Sequence, residues 1–132
     1  MQSGGQAHGG NVVMITNGTS LSALKEGAQA IDAPSERSNS DSLTYNRFGG
    51  LGTFSYGVLD THFSERNRTL RLGTLIDSFG ANQAQPAFGF GVDETTALVV
   101  IKSESGNLMT VIGKNGVVMV KSTEQAQAET VL

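Results

Sequence analysis

The first apolar block, NVVMIT at residues 11–16, is short, rich in β-branched side chains and free of charge, the pattern of a strand buried on both faces in a parallel sheet. After Asn17, Gly18 and Thr19 the period changes. Leu21, Leu24, Ala28 and Ile31 recur at helical spacing, which predicts a helix over residues 20–31 and makes the strand, turn and helix half of a βα unit. Residues 32–55 are polar and rich in Ser, Asn and Gly, so a long loop is expected, and loops of that length in small domains tend to carry function. A second strand is expected at residues 56–60. It is followed by a helix with Ser64 as its cap, Leu72, Leu75, Ile76 and Phe79 on its apolar face, and Gly80 as its stop. Beyond Pro86 the blocks AFGFGV, ALVVIK, NLMTVI and GVVMVK read as strands. Asn115 and Gly116 between the last two are a hairpin signal, so an antiparallel meander is expected. The tail STEQAQAETVL reads as a frayed end or a short helix.

With 132 residues, one domain spanning 1–132 is expected. Seventeen glycines against two prolines indicate tight turns and close backbone approaches rather than a linker. The net charge of −3 contains no basic patch, so nucleic acid is not an expected partner. No cysteine and two isolated histidines leave no disulfide framework and no thiolate or histidine-rich zinc site, so chemistry without metal or cofactor is expected. No apolar run approaches the roughly 18 residues of a membrane span, and the leader MQSGGQAHGG has neither the basic nor the apolar part of a signal peptide. No membrane partner and a cytoplasmic or otherwise soluble location are therefore expected.

Three residues stand out chemically. Ser20 lies in Gly18-Thr19-Ser20-Leu21-Ser22, close to the G-x-S-x-G elbow that presents a serine hydroxyl between a strand and a helix, where free helix N–H groups face a developing oxyanion. Its bland alternative is a helix cap. His62 follows the second strand, where an imidazole can serve as general base at the same sheet edge, although a lone histidine is more often structural. Glu36, in the polar loop, completes the chain order serine, acid, histidine; alone it reads as a solvated charge. Arg66, Arg68 and Arg71 cluster near a helix start, where the dipole disfavours cations, and so point to a substrate carboxylate or a buried ion pair. His8, in the glycine-rich leader, has no apolar context and reads as exposed.

Taken together, NGTSLSA resembles the GGTSAGA elbow of cyanophycinases, VLDTHFSERNRTLR resembles their DQHFSQRGRLGR stretch, and GFGVDETTALVV their GIGIDENTAMVV stretch. The similarity spans roughly residues 9–121, with three motifs in order. These are serine peptidases of the wider aspartyl dipeptidase group. The resemblance implies Ser20 as nucleophile, His62 as base and Glu36 as acid, with Asp60, Thr61, Arg66, Arg68 and Arg71 lining a substrate pocket and Asp93, Glu94 and Thr96 matching a later D-E-x-T string. Thr61 replaces the usual Gln, Leu21 and Ser22 replace Ala and Gly, and Asn17 replaces a Gly.

The implied fold is α/β: a truncated doubly wound sheet with parallel βα units, then an antiparallel meander. Because the family's first half would precede the elbow, an open sheet edge closed by homo-oligomerisation is expected. The implied activity is cleavage of β-aspartyl peptide or small ester bonds through an acyl-enzyme. The second reading is a non-catalytic oligomeric remnant acting as a structural or interaction module.

Overall fold

The computed structural model describes residues 13–31, 41–81 and 87–122. These form a mixed α/β structure of two short three-stranded sheets, a two-stranded ribbon and two helices. The elements run β1 (Met14–Asn17), α1 (Ser20–Glu26), β2 (Ala28–Ala30), β3 (Leu43–Asn46), β4 (Val58–Thr61), α2 (Thr69–Gly80), β5 (Phe88–Val92), β6 (Thr96–Ser103), β7 (Gly106–Gly113) and β8 (Val117–Lys121). None of the described helices is long and apolar enough to cross a membrane.

In the first sheet β3 lies between β1, antiparallel to it, and β2, parallel to it. This departs from the sequence pattern in three places. The helix expected over residues 20–31 ends at Glu26, because Gly27 takes a left-handed φ of 74° and its N–H returns to the Ala23 carbonyl; the chain then runs on as β2. Leu21 and Leu24, expected on the buried face, are exposed, and Ala23 is buried instead. The expected loop contains β3, where Thr44 and, just before the strand, Ser42 flank Leu43 and are as buried as it is. Their hydroxyls are satisfied, Ser42 donating to Glu26 and Thr44 sharing a 2.8 Å bond with Thr16, so a polar sequence lies in the interior without unpaired groups. Finally, β1 takes the end of its sheet, antiparallel to β3, rather than the centre of a parallel one.

In the second sheet β5 lies between β4, parallel, and β8, antiparallel. Strand β4, helix α2 and strand β5 thus form a βαβ unit. Alternation along the strands divides the core. Val58 joins Phe63, Leu72, Leu75 and Ile76 in the main core, whereas Leu59 and Phe90 join Phe54, Tyr56, Leu98, Met109 and Val117 in a second cluster beneath the ribbon. The FGFG run of β5 follows the same period of two. A Cβ on Gly89 would sit 2.9 Å from Leu72 and Ile76 side chains, and one on Gly91 2.3 Å from the Phe63 ring. Gly91→Ala is therefore expected to cost about 3 kcal/mol, the upper end of what overpacking a core costs. Gly73→Ala, on the open side of α2 with nothing nearby, should instead stabilise by about 0.5–1 kcal/mol. Urea denaturation midpoints of the two variants should move in opposite directions.

Two helix signals are also revised. Ser64 does not cap α2; it lies in the turn before it, and the cap position is Arg68, which makes no side-chain capping bond. Gly80 ends α2 without a left-handed φ. Its role is close approach, since a Cβ there would lie 2.6 Å from that of Ser122. The expected meander is broken as well. Strands β6 and β7 pair with each other from Thr96↔Gly113 to Ser103↔Gly106, but β8 leaves β7 and returns to β5. Asn115 and Gly116 form no hairpin between β7 and β8. They close the base of the ribbon: the Asn115 side chain donates to the Glu94 carbonyl, its N–H to Thr96 Oγ1, and the Gly116 N–H to Asp93.

Candidate active site

The turn between β1 and α1 places Ser20. Gly18, at φ 129°, makes the turn, and a Cβ on it would meet the Leu43 backbone at 2.4 Å, so only glycine fits. Thr19 caps α1, its hydroxyl accepting the Ser22 N–H at 3.1 Å, and Ser20 is released from that duty. Ser20 begins the helix half-buried. Its hydroxyl donates to the Asn67 carbonyl at 2.5 Å and accepts the Arg71 N–H at 3.2 Å, which joins α1 to the start of α2.

Beneath that junction lies a buried ion pair. Asp60, on the α2 side of β4, receives Arg71 Nε on one oxygen at 2.8 Å and the Arg71 terminal nitrogen on the other, while the remaining nitrogen of the guanidinium reaches the Gly18 carbonyl at 2.8 Å. Arg71 and Asp60 are 3% and 1% exposed, so this planar, two-pronged pair fixes the turn that carries Ser20. Arg68 adds a second cation 3.5 Å from Asp60 and donates to the Thr61 carbonyl at 2.6 Å. Burial and the neighbouring Arg71 hold Arg68 below the usual arginine range, with Asp60 acting in the opposite sense. Arg66 is exposed.

His62 stands at the end of β4. Strict strand alternation would send it to the side of Asp60, but its φ of 46° breaks the pleat. It instead lines a cavity of about 370 Å³ together with Leu59 and Thr61. Nδ1 of His62 lies 2.7 Å from Glu94 Oε1. Glu94 comes from the turn between β5 and β6, which is held in place by the ribbon base. No family model matches this chain, and no solved structure does either.

A non-glycine residue in the left-handed region costs of order 1–3 kcal/mol, and such strain persists where its surroundings over-determine it. Here the surroundings are the Glu94 carboxylate on the ring and the backbone turn in which the His62 carbonyl accepts the Arg66 N–H. Of the residues that sequence reasoning singled out, the fold gathers Asp60, Arg68, Arg71 and Ser20 on one side of β4, and Thr61, His62 and Glu94 on the other. No hydrogen bond joins Ser20 to His62. Glu36 lies outside the described residues, as do His8 and the carboxyl-terminal tail. Sequence order points to Glu36; among the described residues the acid in contact with His62 is Glu94, to which the D-E-x-T match gives no role. Among the described residues, no group of three or more His, Asp or Glu side chains is placed to hold a metal ion.

The turn itself depends on Asp93. Its carboxylate accepts the N–H of Ser64 at 2.8 Å and of Gly116 at 3.2 Å. Burial raises its pKa, but these hydrogen bonds outweigh that effect and hold it below the usual value of 3.8. A carboxylate with a depressed folded pKa contributes its stabilisation above the unfolded pKa and loses it as pH falls through the folded value. The Ser64 and Gly116 amide resonances are therefore expected to move in a single titration whose midpoint lies below pH 3.8. A midpoint above that pH would contradict the assignment.

Proposed function

We propose that this chain is a serine hydrolase of cyanophycinase type, cleaving peptide or small ester bonds through an acyl-enzyme. The observation that carries the proposal is the His62–Glu94 pair at 2.7 Å, set at a strained backbone position in the wall of a cavity. A carboxylate on one ring nitrogen fixes the imidazole tautomer and supports the cation that forms when the other nitrogen takes a proton. In this mechanism Ser20 Oγ attacks the substrate carbonyl as His62 takes its proton, and His62 then protonates the leaving alcohol or amine. Water deacylates the serine by the reverse transfer. The Ser20 hydroxyl is held at the Asn67 carbonyl on the α2 side of β4 while His62 faces the cavity on the other, so this mechanism requires the turn over residues 62–67 to rearrange with substrate and bring the two together. Asp60 and Arg71 act as positioning residues for the Ser20 turn, Arg68 is engaged by Asp60 and the Thr61 carbonyl, and the exposed Arg66 is the cation offered to a substrate carboxylate.

The βαβ unit and the parallel pairing of β2 with β3 support a doubly wound sheet of the family kind as the wider fold. Exposed Leu21, Leu24, Leu108, Ile112 and Met119 support a homo-oligomer, since these large apolar side chains are open to cover by a second copy. One observation favours the second reading, a non-catalytic structural module: the Ser20 hydroxyl already has a donor and an acceptor in the α1–α2 junction. A fluorophosphonate probe separates the two readings. Stoichiometric labelling of Ser20, prevented by His62→Ala, is expected of the hydrolase; an unlabelled serine in the folded chain would leave the structural reading standing.

A further inference from the structure

The cavity beside His62 has a chemical character of its own. Its walls are Phe54 and Leu59 from beneath the ribbon, Val92 at the end of β5, and Ala97 and Leu98 from β6. Its polar residues are mostly engaged elsewhere. Thr96 Oγ1 donates to the Glu94 carbonyl and accepts the Asn115 N–H, and Asp93 holds the amides of Ser64 and Gly116. Glu94 is committed to His62 through one oxygen. The charges at the rim are of one sign. Asp93 and Glu94 line it, and Glu65 lies behind them with its carboxylate on the Glu94 N–H at 3.0 Å; no Lys or Arg is among the lining residues. Arg68, the nearest cation of the β4 end, is directed at the Thr61 carbonyl and Asp60.

A ligand carboxylate entering this space would lose its hydration, meet no Lys or Arg, and face the carboxylates of Asp93 and Glu94, the second already paired with His62. An apolar group would instead replace water along hydrocarbon walls. We infer that the cavity is a subsite for an uncharged apolar group, such as a short acyl chain or a phenyl ring, and that it directs the His62 site toward neutral esters or amides in preference to acidic ones. The size suits this, since about 370 Å³ falls within the range of small-molecule sites. The inference about substrate rests on the hydrolase reading; the inference about binding does not.

The test uses the full chain and two matched pairs of probes. Butyramide and succinamate differ in a methyl against a carboxylate, as do the p-nitrophenyl esters of butyrate and hemisuccinate. In amide-detected NMR titrations, butyramide should shift the resonances of Leu98 and Val92, and succinamate should require at least tenfold higher concentration for the same effect. In turnover above the spontaneous rate, kcat/KM should favour the butyrate ester by at least tenfold. Ala97→Lys, at an exposed strand position that accepts the longer side chain, places a cation at the wall and should bring the two esters within about threefold. Equal or better binding of succinamate, preference for hemisuccinate by the unaltered chain, or an unchanged ester ratio in Ala97→Lys would each overturn the subsite. If butyramide binds as described while neither ester is turned over, the apolar subsite stands and the hydrolase reading falls.

Discussion

Ser20→Ala is expected to lower ester turnover roughly ten-thousand-fold while leaving the chain folded, because a missing nucleophile removes the acyl-enzyme route entirely. His62→Ala should be as severe. Glu94→Gln should cost less, since an amide still positions the ring but no longer supports its positive charge. The structure adds a term that a bare triad would not have: the Ser20 hydroxyl also bridges α1 and α2, so its removal should lower stability by about 1 kcal/mol. Kinetics and denaturation on the same variant read the two effects separately. Turnover unchanged in Ser20→Ala would remove Ser20 from the chemistry, and a loss confined to stability would assign it to the helix junction alone.

The second large effect falls on the Asp60–Arg71 pair. Removing one member of a buried, hydrogen-bonded ion pair leaves the other charge uncompensated, and the cost is about 3–5 kcal/mol, a large part of a small domain's total stability. Arg71→Met should therefore shift the urea midpoint strongly, with the Gly18 carbonyl losing its partner at the same time. Asp60→Leu combined with Arg71→Met should recover part of the loss, because apolar replacements remove both desolvation penalties. Should the double variant be less stable than either single one, the pair contributes mainly through shape and the electrostatic account fails. A measurable loss of fluorophosphonate labelling in Arg71→Lys, with folding intact, would separate positioning of the serine turn from bulk stability. Lysine keeps the charge but cannot make the planar two-pronged contact.

Much of this was readable from spacing. The face of α2 was evident from Leu72, Leu75 and Ile76, all fully buried, and the β-rich carboxyl half from its apolar blocks. What escaped detection was hidden by physical features the pattern does not encode. Thr44 and Ser42 pack inside because each hydroxyl finds a partner, so a hydrophobicity pattern mistakes their strand for a loop. Helix α1 stops at Gly27 by backbone geometry, while Ala28 continues the apparent helical period as part of β2. The Asn115-Gly116 signal marked a real turn but not its partner strand, because β8 pairs with β5, a strand 25 positions upstream of it at Val92↔Val117, and not with β7. At the site, Ser20 and His62 were legible as chemistry, whereas the link between His62 and Glu94, 32 positions apart, is a product of the tertiary fold.

Strand β5 leaves the sheet at Asp93 and the chain re-enters it at Gly116, and these two residues bond to each other: the Asp93 N–H donates to the Gly116 carbonyl at 3.2 Å, and the Gly116 N–H returns to the Asp93 carboxylate. The ribbon between them is thus a cassette with a closed stem. Its outward-facing positions can change without disturbing the sheet, provided the stem and the packing of Leu98 and Met109 against Leu59 and Phe90 are kept. Because Ala97 and Leu98 ride on the ribbon while His62 belongs to the sheet and Glu94 to the stem, selectivity and reactivity are carried on separately mutable parts. A library confined to residues 97–112 would sample new cavity walls around an unaltered imidazole.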